Sequence, residues 1–311
     1  MKFAWLLALS FIATPALRSE PIPMLGSGIL IEPGSDQIDD SRYQIGSEWG
    51  KKPIQESQFK ELASLERVAK GTANVRGATG FYLGKFAGQH VVATNNHVCP
   101  SSWACSFASI AFKQLGKSYR TSSFIGSWPS IDLALLTIKV AKDDESLMAN
   151  YALPFAFDLP LYPGQKLLTV GYGSANNSRR DMVGNWDSDC KVFSKTDEFR
   201  LMDDPDSLNP GRYKTWSFAN GCDVSHGDSG SAMVDRESGQ VIGIIWTGKI
   251  PKKSEIQNSD YLDSILAEES EEIWSELSYG VPAAKIKELF LEKLVAGELS
   301  DAAREVVEEM L

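Results

Sequence analysis

The chain has no excess of positive charge. Its 31 Lys and Arg stand against 41 Asp and Glu, for a net charge of −10, so the basic footprint of a nucleic-acid binder is missing. It has only four cysteines and three histidines. None of the cysteines shows a Cys-x-x-Cys spacing, which removes the usual framework of a structural zinc site. A metal site combining Cys99, Cys105 and His90 or His97 is the rival reading; without that spacing, no metal is expected. Internal repeats and low-complexity tracts are also lacking, which excludes a solenoid. Past residues 3–13 no apolar run nears the ~20 residues that cross a bilayer. What is there is ordinary for a globular protein. The 311 residues are 43% apolar and 23% charged, enough for one large or two ordinary domains.

The first 19 residues read as a signal peptide rather than as part of the fold. Lys2 supplies the positive start, Phe3 to Ala13 the apolar run, and Thr14-Pro15-Ala16 or Leu17-Arg18-Ser19 the small residues for cleavage. The expected location is therefore secreted or periplasmic. In an oxidising compartment four cysteines are expected to form two disulfides. Three connectivities exist, and the pairing favoured here is Cys99–Cys105 with Cys190–Cys222, each within one half of the chain.

Residues 20–75 form a mixed lead-in with turn signals and a short helix within Gln55 to Lys70. From 78 to 247 short β-branched and aromatic runs recur between turns: Thr79–Leu83, Gln89–Thr94, Ser109–Phe112, Asp132–Val140, Lys166–Gly171, Tyr213–Phe218, Ser231–Val234 and Gln240–Thr247. This spacing predicts an all-β barrel or sandwich, and its length suits two small packed barrels. The β-rich region is bounded at 76–250, with barrels at about 76–145 and 160–250. Residues 251–311 read as an acidic helical extension packed on the barrels. Leu262, Ile265, Leu266, Ile273 and Leu277 keep helical spacing, as do Ile286, Leu289, Phe290 and Leu294. Ser300 can cap a last helix carrying Val306, Val307 and Met310 on one face. The stretch 255–311 holds 15 acidic and 4 basic residues, read as a solvated face, with an acidic docking face as the sharper alternative.

Three local sequences carry chemistry. Thr94-Asn95-Asn96-His97-Val98 follows an apolar strand, Asp132 opens another, and Gly227-Asp228-Ser229-Gly230-Ser231 ends a loop. They supply a base, an orienting acid and a nucleophile. A serine hydroxyl is a weak nucleophile until an imidazole takes its proton. A buried carboxylate then holds the imidazole tautomer and stabilises the cation that forms. Glycines beside the serine let main-chain N–H groups reach a developing oxyanion, and Gly227 and Ser229 are the candidate donors. The order His, Asp, Ser is that of the chymotrypsin-type double barrel. The order Ser, Asp, His and the Gly-x-Ser-x-Gly motif of an α/β-hydrolase are absent, since Ser231 stands at the second glycine. His90 and His226 have no comparable setting.

With these motifs the sequence resembles bacterial trypsin-like serine endopeptidases of the glutamyl-endopeptidase and HtrA-like branch. The matching pieces also include Ala78-Thr79-Gly80-Phe81, Gly171-Tyr172-Gly173 and Val241-Ile242-Gly243-Ile244. The resemblance implies a mainly β, chymotrypsin-like fold of two six-stranded β-barrels, followed here by C-terminal helices. It implies peptide-bond hydrolysis through an acyl-enzyme with His97 as base, Asp132 as orienting acid and Ser229 as nucleophile. Protein or peptide substrates are the implied partners, and no cofactor is needed. An inactive protease-fold binder and a serine esterase using the same triad are the alternatives.

The resemblance also bears on substrate choice. Asp223 lies six residues before the serine, where trypsin-like enzymes place the acid at the base of the specificity pocket. Trp246, Thr247 and Gly248 would form the pocket's other wall, with Gly248 leaving an entrance open. Basic and medium apolar preferences both stay open. Glutamyl endopeptidases carry a histidine where this chain has Ile245, which speaks against a Glu preference. In trypsin a freed N-terminus pairs with the acid before the serine. That acid is Asp228 here, and the nearest candidate start, Val68-Ala69-Lys70-Gly71 after Arg67, lies 29 residues before His97.

Overall fold

The β-branched and aromatic runs fold as antiparallel strands. The computed structural model describes residues 41–173, 181–205 and 214–311; the signal-peptide reading of residues 1–19 lies outside them. The strands are β1 (Lys51–Pro53), β2 (Thr72–Val75), β3 (Ala78–Phe86), β4 (Gln89–Thr94), β5 (Ser109–Phe112), β6 (Lys117–Trp128), β7 (Leu133–Ile138), β8 (Leu167–Gly171), β9 (Val183–Asn185), β10 (Arg200–Asp203), β11 (Lys214–Asn220), β12 (Ala232–Asp235), β13 (Val241–Gly248) and β14 (Ser278–Pro282). The helices are α1 (Leu65–Gly71), α2 (Ser102–Cys105), α3 (Glu145–Ala149), α4 (Ser259–Ala267), α5 (Ile273–Glu276), α6 (Ala283–Ala296) and α7 (Asp301–Met310).

Six strands close a barrel in the order β2-β3-β4-β7-β6-β5. The other eight form one sheet in the order β1-β9-β8-β12-β13-β14-β11-β10. The fold is thus mainly β and chymotrypsin-like, with a closed six-stranded barrel, a second antiparallel sheet and C-terminal helices. The second half differs in detail from a six-stranded barrel. It recruits β1 from the lead-in, and it recruits β14 from a stretch whose flanks read as helical. Residues 278–282 are buried throughout and sit between β13 and β11. A five-residue, fully buried strand carries no period that sequence alone distinguishes from a helix.

Strand alternation divides the apolar residues between two cores. On β3, β4 and β7 the residues Phe81, Leu83, Val91, Ala93, Leu133 and Leu135 join one cluster. Their neighbours Tyr82, Val92, Ala134 and Leu136 join another with Ile110 and Phe112. The first cluster continues through Leu168, Val170, Ile244 and Val281 of the second sheet to Ile286, Phe290, Val306 and Val307 of the helices. Each fully buried side chain of this size contributes roughly 1.5–3 kcal/mol. The cluster therefore binds barrel, sheet and helices into one body. Ser300 caps α7 by accepting from Ala303 N, and Gly297 ends α6 at φ +65°, a conformation glycine adopts without Cβ strain. Both disulfides, Cys99–Cys105 and Cys190–Cys222, are formed.

Candidate active site

The histidine and the aspartate meet at the ends of neighbouring strands. β4 pairs with β7, so the residues just after β4 and just before β7 lie side by side. His97 Nδ1 lies 2.7 Å from Asp132 Oδ2, and the His97 main-chain N–H donates to Asp132 Oδ1 at 2.9 Å. Both carboxylate oxygens thus hold the same residue. Asn95 Nδ2 donates to the Asp132 carbonyl at 2.8 Å, and Asp132 takes a left-handed φ of +35° that turns its side chain back toward His97. Asp132 is buried while the imidazole is half exposed. Burial pulls the His97 pKa down, but the Asp132 carboxylate, its hydrogen bond and the charge of Asp204 outweigh it, and the pKa is raised. The Cys99–Cys105 staple begins two residues after His97, and Ser127 Oγ ties its carbonyl at Cys99 to β6.

The serine loop packs against the first barrel through two threonines. Thr79 N donates to the Ser229 carbonyl at 3.0 Å, Thr79 Oγ1 donates to the Gly227 carbonyl at 2.7 Å, and Thr94 Oγ1 donates to the Thr79 carbonyl at 2.7 Å. Thr94 is three residues before His97, so these bonds link the loop, through Thr79, to the segment that carries the histidine. A Cβ at Gly230 would lie 2.0 Å from the Thr79 carbonyl oxygen, and only glycine permits that approach. Gly173 is confined in the same way, since a Cβ there would lie within 2.3 Å of the Asp228 carboxylate atoms. Among the described residues Ser229 Oγ makes no hydrogen bond to His97, a contact often loose before substrate binds. Among them, too, the N–H groups of Gly227 and Ser229 have no acceptor, while Asp228 N, Gly230 N and Ser231 N do. Within Gly227–Ser231 the two candidate oxyanion donors are the N–H groups left unspent.

The specificity residues read from the sequence are placed differently. Asp223 is buried, with its carboxylate accepting from Ile45 N at 2.6 Å and Gly50 N at 2.7 Å. It holds the lead-in rather than opening onto a pocket. Burial, together with the nearby Asp187 charge, pushes its pKa up to about 8 against the pull of those two donors. Trp246 is also buried, its indole N–H donating to Ser217 Oγ at 2.9 Å. Gly248 pairs with Ser278, and a Cβ there would lie 3.0 Å from Ser278 Oγ, so the expected entrance is occupied by β14. Thr247 is half-buried and donates to Asp204 Oδ1 at 2.7 Å. Asp204 is thus a charged neighbour of the histidine that the sequence did not single out. His90 bonds Tyr82 Oη at 2.7 Å and His226 packs edge-on to Tyr43; neither joins Asp132.

Lys51 is the second residue that sequence reasoning missed. Its ammonium is buried and donates to the Gly173 carbonyl and Ser225 Oγ, each at 2.6 Å, and to Asp228 Oδ2. No local motif marks it, because its partners lie more than a hundred residues away.

No curated protein matches the chain. Solved structures similar to it include the Rv3671c protease from M. tuberculosis. An inactive serine-to-alanine mutant of that protease is 17% identical with a TM-score of 0.49, covering 78% of this chain and 94% of that one. The active form of the same protease is 17% identical with a TM-score of 0.48, covering 83% and 91%. The HtrA-type protease AlgW with a tripeptide is 15% identical with a TM-score of 0.46, covering 76% and 64%. The family model described as trypsin-like peptidase domain matches residues 78–244, more than half of the chain and the whole run from β3 through the serine loop. The chain belongs to the trypsin-like peptidase domain family.

Proposed function

We propose that this protein is an exported serine endopeptidase that hydrolyses peptide bonds through an acyl-enzyme. Ser229 Oγ attacks the scissile carbonyl as His97 Nε2 takes its proton. The resulting oxyanion is met by the N–H groups of Gly227 and Ser229. His97 then protonates the leaving amine, and a water molecule repeats the sequence to release the acid. Asp132 holds Nδ1–H and stabilises the imidazolium in both halves. The observation that supports this reading best is the two-point clasp of His97 by a buried Asp132, set against a serine loop with two unspent N–H donors. Each such donor is worth about 3–4 kcal/mol of barrier. Placement in the glutamyl-endopeptidase and HtrA-like branch is part of the proposal and rests on the His97 and Ser229 motifs. Location outside the cytoplasm rests on the apolar N-terminal run and the two disulfides. Among the described residues no helix is long and apolar enough to cross a membrane.

Fluorophosphonate labelling with mapping of the adduct, run beside digestion of an unfolded protein substrate, tests the reading. The expected result is an adduct on Ser229 and cleavage that stops when Ser229 is blocked. No adduct would point to an inactive binder. An adduct with intact protein substrate and turned-over esters would point to an esterase.

A further inference from the structure

We infer that Lys51, contributed by the lead-in strand β1, is a positioning residue that holds the serine loop in its working shape; this rests on the peptidase reading of Ser229. The ammonium sits against the loop's underside with its side chain 2% exposed and that of Asp228 5% exposed. A lysine ammonium has three protons to donate, and here all three are used, on three acceptors in two segments. One goes to the carbonyl of Gly173 after β8, one to Ser225 Oγ, and one to Asp228, the residue immediately before the nucleophile. Asp228 is equally committed. Its Oδ1 accepts from Gly173 N at 3.1 Å, and its Oδ2 accepts from Ser225 N at 2.8 Å and Ser225 Oγ at 3.2 Å. The network is closed, with every donor matched to an acceptor.

The consequence reaches the oxyanion donors. Asp228 lies between Gly227 and Ser229, so the direction of its side chain sets the peptide planes on either side. With Asp228 drawn toward Lys51, those two N–H groups stay unspent. Without the cation, Asp228 would be a buried carboxylate lacking a counter-charge, and such a group reorients toward water or takes up a proton. Lys51 itself is fixed from behind. β1 pairs with β9 through Lys51 and Asn185, and Asp223 holds Gly50 and Ile45. The cation that secures the loop is therefore a side chain, in place without any cut in the chain. The bond after Arg67 is correspondingly unsuited to supply one: it lies inside α1, where Val68 is buried and its N–H donates to Ser64 O.

The test compares wild type with Lys51→Met, Lys51→Arg, the double variant Lys51→Met/Asp228→Asn, and Arg67→Gln. The double variant removes both charges at once and so guards against loss of fold by a lone buried carboxylate. Steady-state kinetics on a peptide substrate are read with hydrogen exchange of the Ser225–Ser231 amides. Lys51→Met and the double variant should lose about 10²–10³ in kcat, the scale of a misplaced oxyanion donor, with KM changed less than threefold. Amide exchange at Asp228, Gly230 and Ser231 should rise tenfold or more while β4 and β7 stay protected. Lys51→Arg should recover part of kcat, and Arg67→Gln should keep it within twofold. A double variant with kcat and loop exchange within twofold of wild type, or an Arg67→Gln enzyme that is inactive, would overturn the proposal. A wild type that neither labels nor cleaves, but whose loop exchange still depends on Lys51, would refute the peptidase reading and leave the loop assignment supported.

Discussion

At His97 two opposed effects decide the chemistry. Partial burial disfavours the imidazolium, while Asp132 at 2.7 Å and the charge of Asp204 favour it, and the second pair prevails. Because His97 must be neutral to serve as the proposed general base, activity should rise with pH through a pKa above the ordinary 6.5. An NMR titration of the His97 Cε1 proton should place the midpoint above 6.5 in wild type and lower in Asp132→Asn; equal midpoints would remove Asp132 as the cause. The same sign applies to folding. The stability contributed by charged His97 is present below 6.5 and is lost as pH rises through the raised value. The proposed triad would act as a unit, so Ser229→Ala or His97→Ala should each lower kcat by roughly 10⁴–10⁶, and the double variant should lose little more. A Ser229→Ala protein that kept most of its peptidase activity would exclude the assignment.

Among the strands, β1 is one of two with three residues and is the most consequential. Three residues on the sheet edge, one of them Pro53, add little hydrogen bonding of their own. What holds them is Asp223, whose carboxyl oxygens gather Ile45 N and Gly50 N. Its pKa of about 8 stands far above the ordinary 3.8. The native state thus keeps a proton that the unfolded chain releases. Stability from this group is complete below about pH 4 and is lost as pH rises through about 8. Urea midpoints at pH 5 and pH 9 should fall more steeply in wild type than in Asp223→Asn; parallel slopes would show that Asp223 is ionised throughout. The Cys190–Cys222 staple sits beside this anchor and spans 32 residues. Replacing both cysteines with alanine should cost about 3–4 kcal/mol in the chain-entropy model, read as a shift of the denaturant midpoint.

Across the whole molecule the C-terminal helices act as a clamp. α6 packs on β13 and β14 of the second sheet, and α7 packs on β3 and β6 of the first barrel. Glu309 accepts from Ala87 N in the β3–β4 turn. Phe290 of α6 is fully buried and meets Trp128 edge-on at 5.3 Å. Trp128 ends β6 and leads through Pro129–Ile131 into Asp132. Phe290→Ala should cost about 3–5 kcal/mol and also lower kcat, because the cavity frees the segment that carries Asp132, the proposed triad acid. Denaturant unfolding together with kinetics checks both parts. A full loss of stability with unchanged kcat would confine Phe290 to packing.

Much of this protein was legible from the chain alone, and the reason is locality. The histidine, aspartate and serine motifs each sit at a strand end or in a glycine-rich loop, so a few neighbouring residues identify them. β4 and β5 carry compact apolar runs and match their expected bounds, and Ser300 marks the start of α7 by its own hydroxyl. Other features depended on partners far along the sequence. The twelve-residue β6 is largely polar and only partly buried; it is a strand because β5 and β7 flank it on both edges. β14 is a strand because β13 and β11 leave a gap for it. Asp223 occupies the offset of a specificity acid, yet chain contacts at Ile45 and Gly50 give it a different use. Lys51 reaches Asp228 across 177 residues. Local sequence determines which residues can do chemistry and which segments can pair, because those properties reside in a few adjacent side chains. Only the closed tertiary structure decides which buried charge faces which, since that depends on long-range pairings that no short window contains.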